Sequence, residues 1–162
     1  MCGIWASINL TNISERQLSC ISHRGPDSTR MVEVEDGFFL GFNRLSIIDL
    51  HERSDQPMFS KDGQYGLVFN GEIYNYIELK KELESLGHFF LTESDTEVLL
   101  KSYIEWGKNC LDKLNGMFAF VIFDGSLRSL FCARDRFGIK PLYVFQEGEK
   151  IAFASEIKQF VS

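Results

Sequence analysis

The chain has 162 residues, enough for one domain with a real core and too few for two of ordinary size. Its 44% hydrophobic and 25% charged residues describe a folded globular domain and exclude a largely disordered chain. A formal net charge of -6 without a lysine or arginine run argues against nucleic acid as a partner, and the longest apolar run, residues 117–123, is too short to cross a bilayer. The N-terminus lacks the basic and apolar regions of a secretory leader, so a cytoplasmic location is expected.

Ile4-Trp5-Ala6-Ser7-Ile8 is apolar and followed by polar residues 9–12, the pattern of a first strand ending in a turn, with Cys2 at its leading edge. Residues 15–21 predict a helix capped by Ser14, and the Gly-Pro pair within residues 22–28 predicts a loop. Val32, Val34, Phe38, Phe39 and Leu40 around Asp36-Gly37 signal a hairpin over residues 31–42, and residues 45–48 are a further candidate strand. Residues 49–63, polar and broken by Pro57, predict an extended loop. A strand resumes over residues 65–69 and is expected to end in a turn at Asn70-Gly71.

Tyr76, Leu79, Leu83 and Leu86 recur at helical spacing before Gly87, with Glu78, Lys81, Glu82 and Glu84 on the polar side. A second helix begins at Ser94-Asp95-Thr96-Glu97, where Ser94 and Glu97 have the spacing of a reciprocal capping box, and presents Leu99, Tyr103 and Trp106 until Gly107. Residues 117–123 are continuously apolar, which predicts a strand covered on both faces. Asp124-Gly125 turns the chain into residues 129–133, residues 142–145 and 151–153 form a hairpin around Glu147-Gly148, and Ser155 caps a short helix over residues 156–160. Two packed sheets with helices outside them satisfy this order of elements.

Cysteines at 2, 20, 110 and 132 and histidines at 23, 51 and 88 lack the paired spacing of a zinc site, so no metal is expected. Cys20, Cys110 and Cys132 read as small buried apolar residues. Cys2 differs, because removal of Met1 joins a thiol of pKa about 8.5 and an amine of about 7.7 in one residue, where the amine can act as base for the thiol. Taken singly, the candidate residues keep plainer readings: Cys2 as the second residue of a chain that retains its methionine, Asn70-Gly71 as a turn, Asp95 as the favourable charge at a helix N-terminus.

Cys2-Gly3-Ile4, Ser22-His23-Arg24-Gly25-Pro26-Asp27-Ser28, Arg44-Leu45-Ser46-Ile47-Ile48-Asp49, Phe69-Asn70-Gly71-Glu72-Ile73-Tyr74-Asn75, Ser94-Asp95-Thr96-Glu97 and Ala133-Arg134-Asp135-Arg136-Phe137-Gly138-Ile139-Lys140-Pro141-Leu142-Tyr143 occur in this order. Together they resemble the glutaminase domain of glutamine-hydrolysing asparagine synthetases and their relatives. The resemblance implies one α+β class II glutamine amidotransferase domain over residues 1–162, with the four-layer αββα sandwich of N-terminal nucleophile hydrolases. It implies that Met1 is removed and that Cys2 attacks the side-chain amide of free L-glutamine, releasing ammonia and leaving a glutamyl thioester that water hydrolyses to glutamate.

By the same resemblance, the Asn70 side-chain amide and the Gly71 backbone N–H form the oxyanion hole, where fixed donors favour the transition state. Arg44 holds the substrate α-carboxylate through its planar fork, and Glu72 and Asp95 serve the α-ammonium end. Residues 23–27 form a covering loop, and His23 stays outside the catalytic set because the terminal amine is the base. Arg134-Asp135-Arg136 with Lys140 reads either as an internally paired loop or as a surface packed against a partner domain.

Ala6, Asn43 and Ser54-Asp55 depart from the commonest family pattern, which has glycine, histidine and a glycine-histidine pair there. The family pairs this domain with an ATP-dependent synthetase domain, absent from this chain, that receives the ammonia; ATP and magnesium are expected only there, and no cofactor here. The chain is then an excised domain or a truncated product, and a homodimer is left open. Two other readings stand: a domain that binds glutamine or a partner without turnover, and the glutaminase half of an amidotransferase with another acceptor.

Overall fold

The computed structural model of the protein describes residues 1–45 and 55–161. In chain order these form β1 (Gly3–Ile8), α1 (Arg16–Ser19), β2 (Ser28–Glu35), β3 (Phe38–Arg44), β4 (Met58–Phe59), β5 (Tyr65–Ile73), α2 (Tyr76–Ser85), α3 (Asp95–Trp106), β6 (Gly116–Asp124), β7 (Ser129–Arg134), β8 (Tyr143–Glu147) and β9 (Lys150–Ala154). Short 3-10 turns lie at Ser22–Arg24, Gly107–Asp112 and Ile157–Phe160. One sheet has the order β2-β3-β1-β9-β8 and the other β4-β5-β6-β7, and the pairings are antiparallel.

The continuous apolar run of β6 is explained by two different coverings. Phe118, Phe120 and Ile122 join Leu67, Phe69 and Ile73 of β5 beneath Leu79 and Leu83 of α2 and Val98, Leu99 and Tyr103 of α3. Ala119, Val121 and Phe123 alternate to the other face, where with Val68 they meet Ile4, Ala6, Leu40, Phe42 and Phe153 of the second sheet. On that sheet's reverse face, Trp5, Ala152 and Ala154 pack with Leu18 and Phe160. Phe120 is wholly buried, so truncating it to alanine costs about 3–5 kcal/mol.

Several expectations are corrected. The chain does not turn at Asn70-Gly71: β5 runs on to Ile73, and both residues sit in register against Ala119 and Phe118 of β6. Ser94 does cap α3, accepting from Thr96 N at 3.1 Å. Glu97 does not return the bond; its carboxylate takes Leu91 N and Thr92 N, at 3.0 and 2.7 Å, because the preceding segment folds back over the first turn. The closing turn is capped by Glu156 paired with Gln159, while Ser155 Oγ instead accepts from Ile4 N at 2.9 Å. Regular helix near Ser14 shrinks to Arg16–Ser19, and the expected loop over residues 49–63 yields the short strand β4. The candidate strand over residues 45–48 lies, except for Leu45, outside the described residues, and Leu45 itself is not in a strand.

Among the described residues no helix is long and apolar enough to cross a membrane. The cluster of Arg134, Asp135, Arg136 and Lys140 is an internally bonded loop. Asp135 accepts from the backbone N–H groups of Phe118, Phe137, Ile139 and Lys140, and Arg134 donates to the carbonyls of Lys140 and Gly138. Burial raises the Asp135 pKa, but those four donors outweigh it and hold the carboxyl below its ordinary value.

Candidate active site

Strand alternation gathers the site. Along β1, β3 and β5 the residues facing the inter-sheet core include Ile4 and Ala6, Leu40 and Phe42, and Val68. Continuing each row by two residues brings Cys2, Arg44 and Asn70 to one end of that core. Gly3 pairs with Asn43, so Cys2 lies beside Arg44, and its Sγ is bracketed by Leu45, accepting from the N–H at 3.4 Å and donating to the carbonyl at 3.6 Å. Burial pushes the Cys2 thiol above its ordinary pKa, against the opposing pull of the Leu45 N–H, the N-terminal charge, Arg44 and Arg24. Burial thus favours the protonated sulfur, and a base is needed to generate the attacking thiolate.

The outer edge of β5 places Gly71. Phe118 spends its N–H and C=O on Asp135, away from β5. In an antiparallel ladder both groups of a residue point to one side, so the Gly71–Phe118 pair is not hydrogen-bonded and Gly71 turns its own N–H to the opposite edge. Phe69 and Ile73 face the same way. Gln56 holds Phe69 through both backbone groups, at 2.5 and 3.2 Å, and Asp95 Oδ2 accepts from Ile73 N at 3.0 Å. The Gly71 N–H sits between these two attachments, on the wall of the Cys2 cavity. Only glycine fits there: a Cβ would lie 2.3 Å from Met117 O and 2.7 Å from Phe118 Cα.

Asn70, 1% exposed, reaches Cys2 directly. Its hydrogen bonding sets the amide nitrogen 3.3 Å from Cys2 O and the amide oxygen 3.3 Å from Arg24 Nη2. Arg24 Nε also donates to Cys2 O at 3.0 Å, and Nη1 is anchored by Glu156 Oε1 at 3.3 Å. The same carboxylate meets His23 Nε2 at 3.0 Å and Lys158 Nζ at 3.2 Å. Burial raises the Glu156 pKa, but Lys158, Arg24 and His23 outweigh it, so the carboxyl lies below its ordinary value. Gly25 lets this segment press on β3, since a Cβ there would stand 2.4 Å from Asn43 O.

A cavity of about 100 Å³ opens beside Cys2, lined among others by Arg44, Gln56, Gly71, Glu72 and Asp95. Of the sequence-predicted residues, Cys2, Arg44, Gly71, Glu72 and Asp95 share this wall, and Asn70 joins through its bond to Cys2. Arg44 is buried and ion-paired to Asp55 through Nη1 and Oδ1. Asp95 is buried at the first turn of α3. Burial, supplemented by the charge of exposed Glu72, lifts its pKa to about 6 despite the Ile73 and Thr96 N–H groups. The cavity lining thus includes a cation, two carboxyl groups, a thiol and the glycine whose N–H faces the β5 edge, with Asn70 attached to Cys2 beside it. Among the described residues no group of three or more His, Cys, Asp or Glu is placed to hold a metal ion.

Arg24, Gln56 and Glu156 were not assigned roles from sequence. Arg24 stood in a motif read as a covering loop; Gln56 and Glu156 act through contacts 13 and 132 residues distant in the chain, which no local pattern announces.

Comparison with known proteins places the chain in a family. Residues 1–162 match the glutamine amidotransferase domain family. The chain is 43% identical over 171 residues to glutamine-hydrolyzing asparagine synthetase 3 of Bacillus subtilis (strain 168), covering 100% of this chain and 28% of that protein. It is 49% identical over 147 residues to asparagine synthetase 1 of the same organism, covering 87% of this chain and 22% of that protein. It therefore spans well under a third of the length of these relatives. Among solved structures, glutamine phosphoribosylpyrophosphate amidotransferase of B. subtilis aligns with a TM-score of 0.83 over 99% of this chain and 43% of that one, at 24% identity, a likeness of fold.

Proposed function

The chain belongs to the class II glutamine amidotransferase domain family, and from that premise we propose that residues 1–162 form a cytoplasmic glutaminase domain hydrolysing free L-glutamine through Cys2. The fold is read as the four-layer αββα sandwich of N-terminal nucleophile hydrolases. The observation that carries the proposal is one cavity lined by Cys2, Gly71, Arg44, Glu72 and Asp95, with the Asn70 amide joined to Cys2 through its backbone oxygen.

In the proposed reaction, loss of Met1 frees the Cys2 α-amine, which takes the proton of the neutral thiol. The thiolate attacks the side-chain carbonyl carbon of glutamine, and the resulting oxyanion is met by Asn70 and Gly71. The protonated amine returns its proton to the departing nitrogen, which leaves as ammonia; water, deprotonated by the same amine, then cleaves the thioester to glutamate. Arg44 receives the α-carboxylate and Asp95, with Glu72, the α-ammonium, so glutamine within a peptide, whose ends are neutral amides, is refused.

The ammonia is proposed to feed an ATP-dependent, asparagine-synthetase-like domain, as the names of the relatives suggest. Release of ammonia from free glutamine, abolished by Cys2→Ala, tests the proposal. A folded, Met1-free protein that binds glutamine without releasing ammonia would overturn it.

A further inference from the structure

Gln56 is 6% exposed and contributes to the cavity wall, yet the proposed reaction gives it nothing to do. Its side-chain amide behaves as one residue of a missing strand. Among the described residues β4 pairs only with Gly66 and Leu67 of β5, so this ladder stops before the site. At the next edge-facing residue, Gln56 Oε1 accepts from Phe69 N at 2.5 Å and Nε2 donates to Phe69 O at 3.2 Å. The following edge-facing residue is Gly71, and the one after it, Ile73, is held by Asp95.

We infer that Gln56 is a positioning residue that fixes the direction of the Gly71 N–H by clasping both backbone groups of Phe69. The clasp ends where it is needed: a longer β4 would consume the Gly71 N–H in the ladder, and a bare edge would leave the Phe69 peptide free to rotate. A primary amide suits the task because it offers one acceptor and one donor side by side, the complement of a strand residue's N–H and C=O. The inference deepens the proposed glutaminase reaction and, for its kinetic arm, rests on it.

Two variants test it in the otherwise intact chain. Gln56→Leu keeps the bulk and loses both bonds; kcat for glutamine hydrolysis is expected to fall about 10- to 100-fold, with KM within about twofold, because the defect lies in transition-state alignment. Gln56→Glu discriminates positioning from general packing. As a carboxylate it accepts from Phe69 N–H but repels the Phe69 carbonyl; once protonated it both accepts and donates, as glutamine does. Its kcat relative to the unmodified protein should therefore climb as pH falls from about 8 to about 5, the raised range of a buried carboxyl, whereas the Gln56→Leu ratio should stay flat.

A pH-independent Gln56→Glu ratio, a loss carried by KM, or unchanged kcat in both variants would overturn the inference. Amide hydrogen exchange at Phe69 supplies an arm independent of turnover: protection should be lost in Gln56→Leu and retained at Leu67. Equal protection at Phe69 in both proteins would overturn the clasp itself. If the unmodified protein releases no ammonia, the proposed reaction fails while the exchange result still decides the role of Gln56.

Discussion

Arg24 Nη2 lies 3.3 Å from the side-chain oxygen of Asn70, and this contact turns the amide nitrogen of Asn70 toward Cys2. Since Nε of the same guanidinium holds Cys2 O at 3.0 Å, Arg24 sets both the backbone of the proposed nucleophile and the orientation of its proposed oxyanion donor. Arg24→Lys should not rescue function, because a point-charge ammonium cannot span both acceptors with a planar fork. We expect kcat to fall about 10- to 100-fold in Arg24→Lys and Arg24→Gln alike, with KM little changed, as judged by steady-state ammonia release.

Asn70 and Gly71 should fail differently. Asn70→Ala removes one oxyanion donor from a folded protein and should lower kcat by about 10²–10³. Gly71→Ala places a Cβ 2.3 Å from Met117 O and 2.7 Å from Phe118 Cα, both backbone atoms unable to step aside. Overpacking of this kind costs about 1–3 kcal/mol or more, and Asn70→Ala strips Cys2 O and Arg24 Nη2 of a buried partner at a similar cost, so both should lower the urea midpoint, one by a clash and the other by lost bonds.

Asp95 trades stability for its place in the cavity. Its folded pKa is about 6 against an ordinary 3.8, raised chiefly by burial. The folded state binds this proton more tightly than the unfolded chain, so the stabilisation is complete below the ordinary value and is lost as pH rises through about 6. The full span is about 3 kcal/mol. Asp95→Asn, which can still accept from Ile73 N, should therefore raise the urea midpoint at pH 8 and converge with the unmodified protein near pH 4, while KM for glutamine rises about tenfold or more. A midpoint difference independent of pH would contradict the burial account.

Arg44 is buried beside Cys2 and paired with Asp55. Arg44→Ala should raise KM about 10- to 100-fold by removing a charged hydrogen-bonding partner. Isothermal titration with glutamine on a Cys2→Ala background separates this binding effect from turnover.

Sequence reading succeeded where one local rule decided the outcome. The unbroken apolar run of β6 could only be covered on both faces, and Asp36-Gly37 between alternating apolar residues turned the β2–β3 hairpin as expected. It failed where a distant group intervened. Asn70-Gly71 has the composition of a turn, but pairing with Ala119 and Phe118 draws it into a continuous strand. Glu97 has capping-box spacing, but Thr92 and Leu91 offer it better-placed donors. The chemical residues Cys2, Arg44, Gly71, Glu72 and Asp95 were legible through their ordered motifs and converge on one cavity. The residues that aim them, Arg24, Gln56 and Glu156, were not, because their roles exist only once β1, β5 and the closing turn are brought together.

The account turns on Cys2 acting as nucleophile with its own α-amine as base. The most direct measurement pairs intact mass with ammonia release from glutamine on two preparations, one lacking Met1 and one retaining it. The Met1-free protein should turn over glutamine in a Cys2-dependent manner, and the Met1-retaining protein, with the same cavity but its base locked in a peptide bond, should be inactive. Appreciable Cys2-dependent turnover by the protein that retains Met1 would contradict the terminal-amine mechanism.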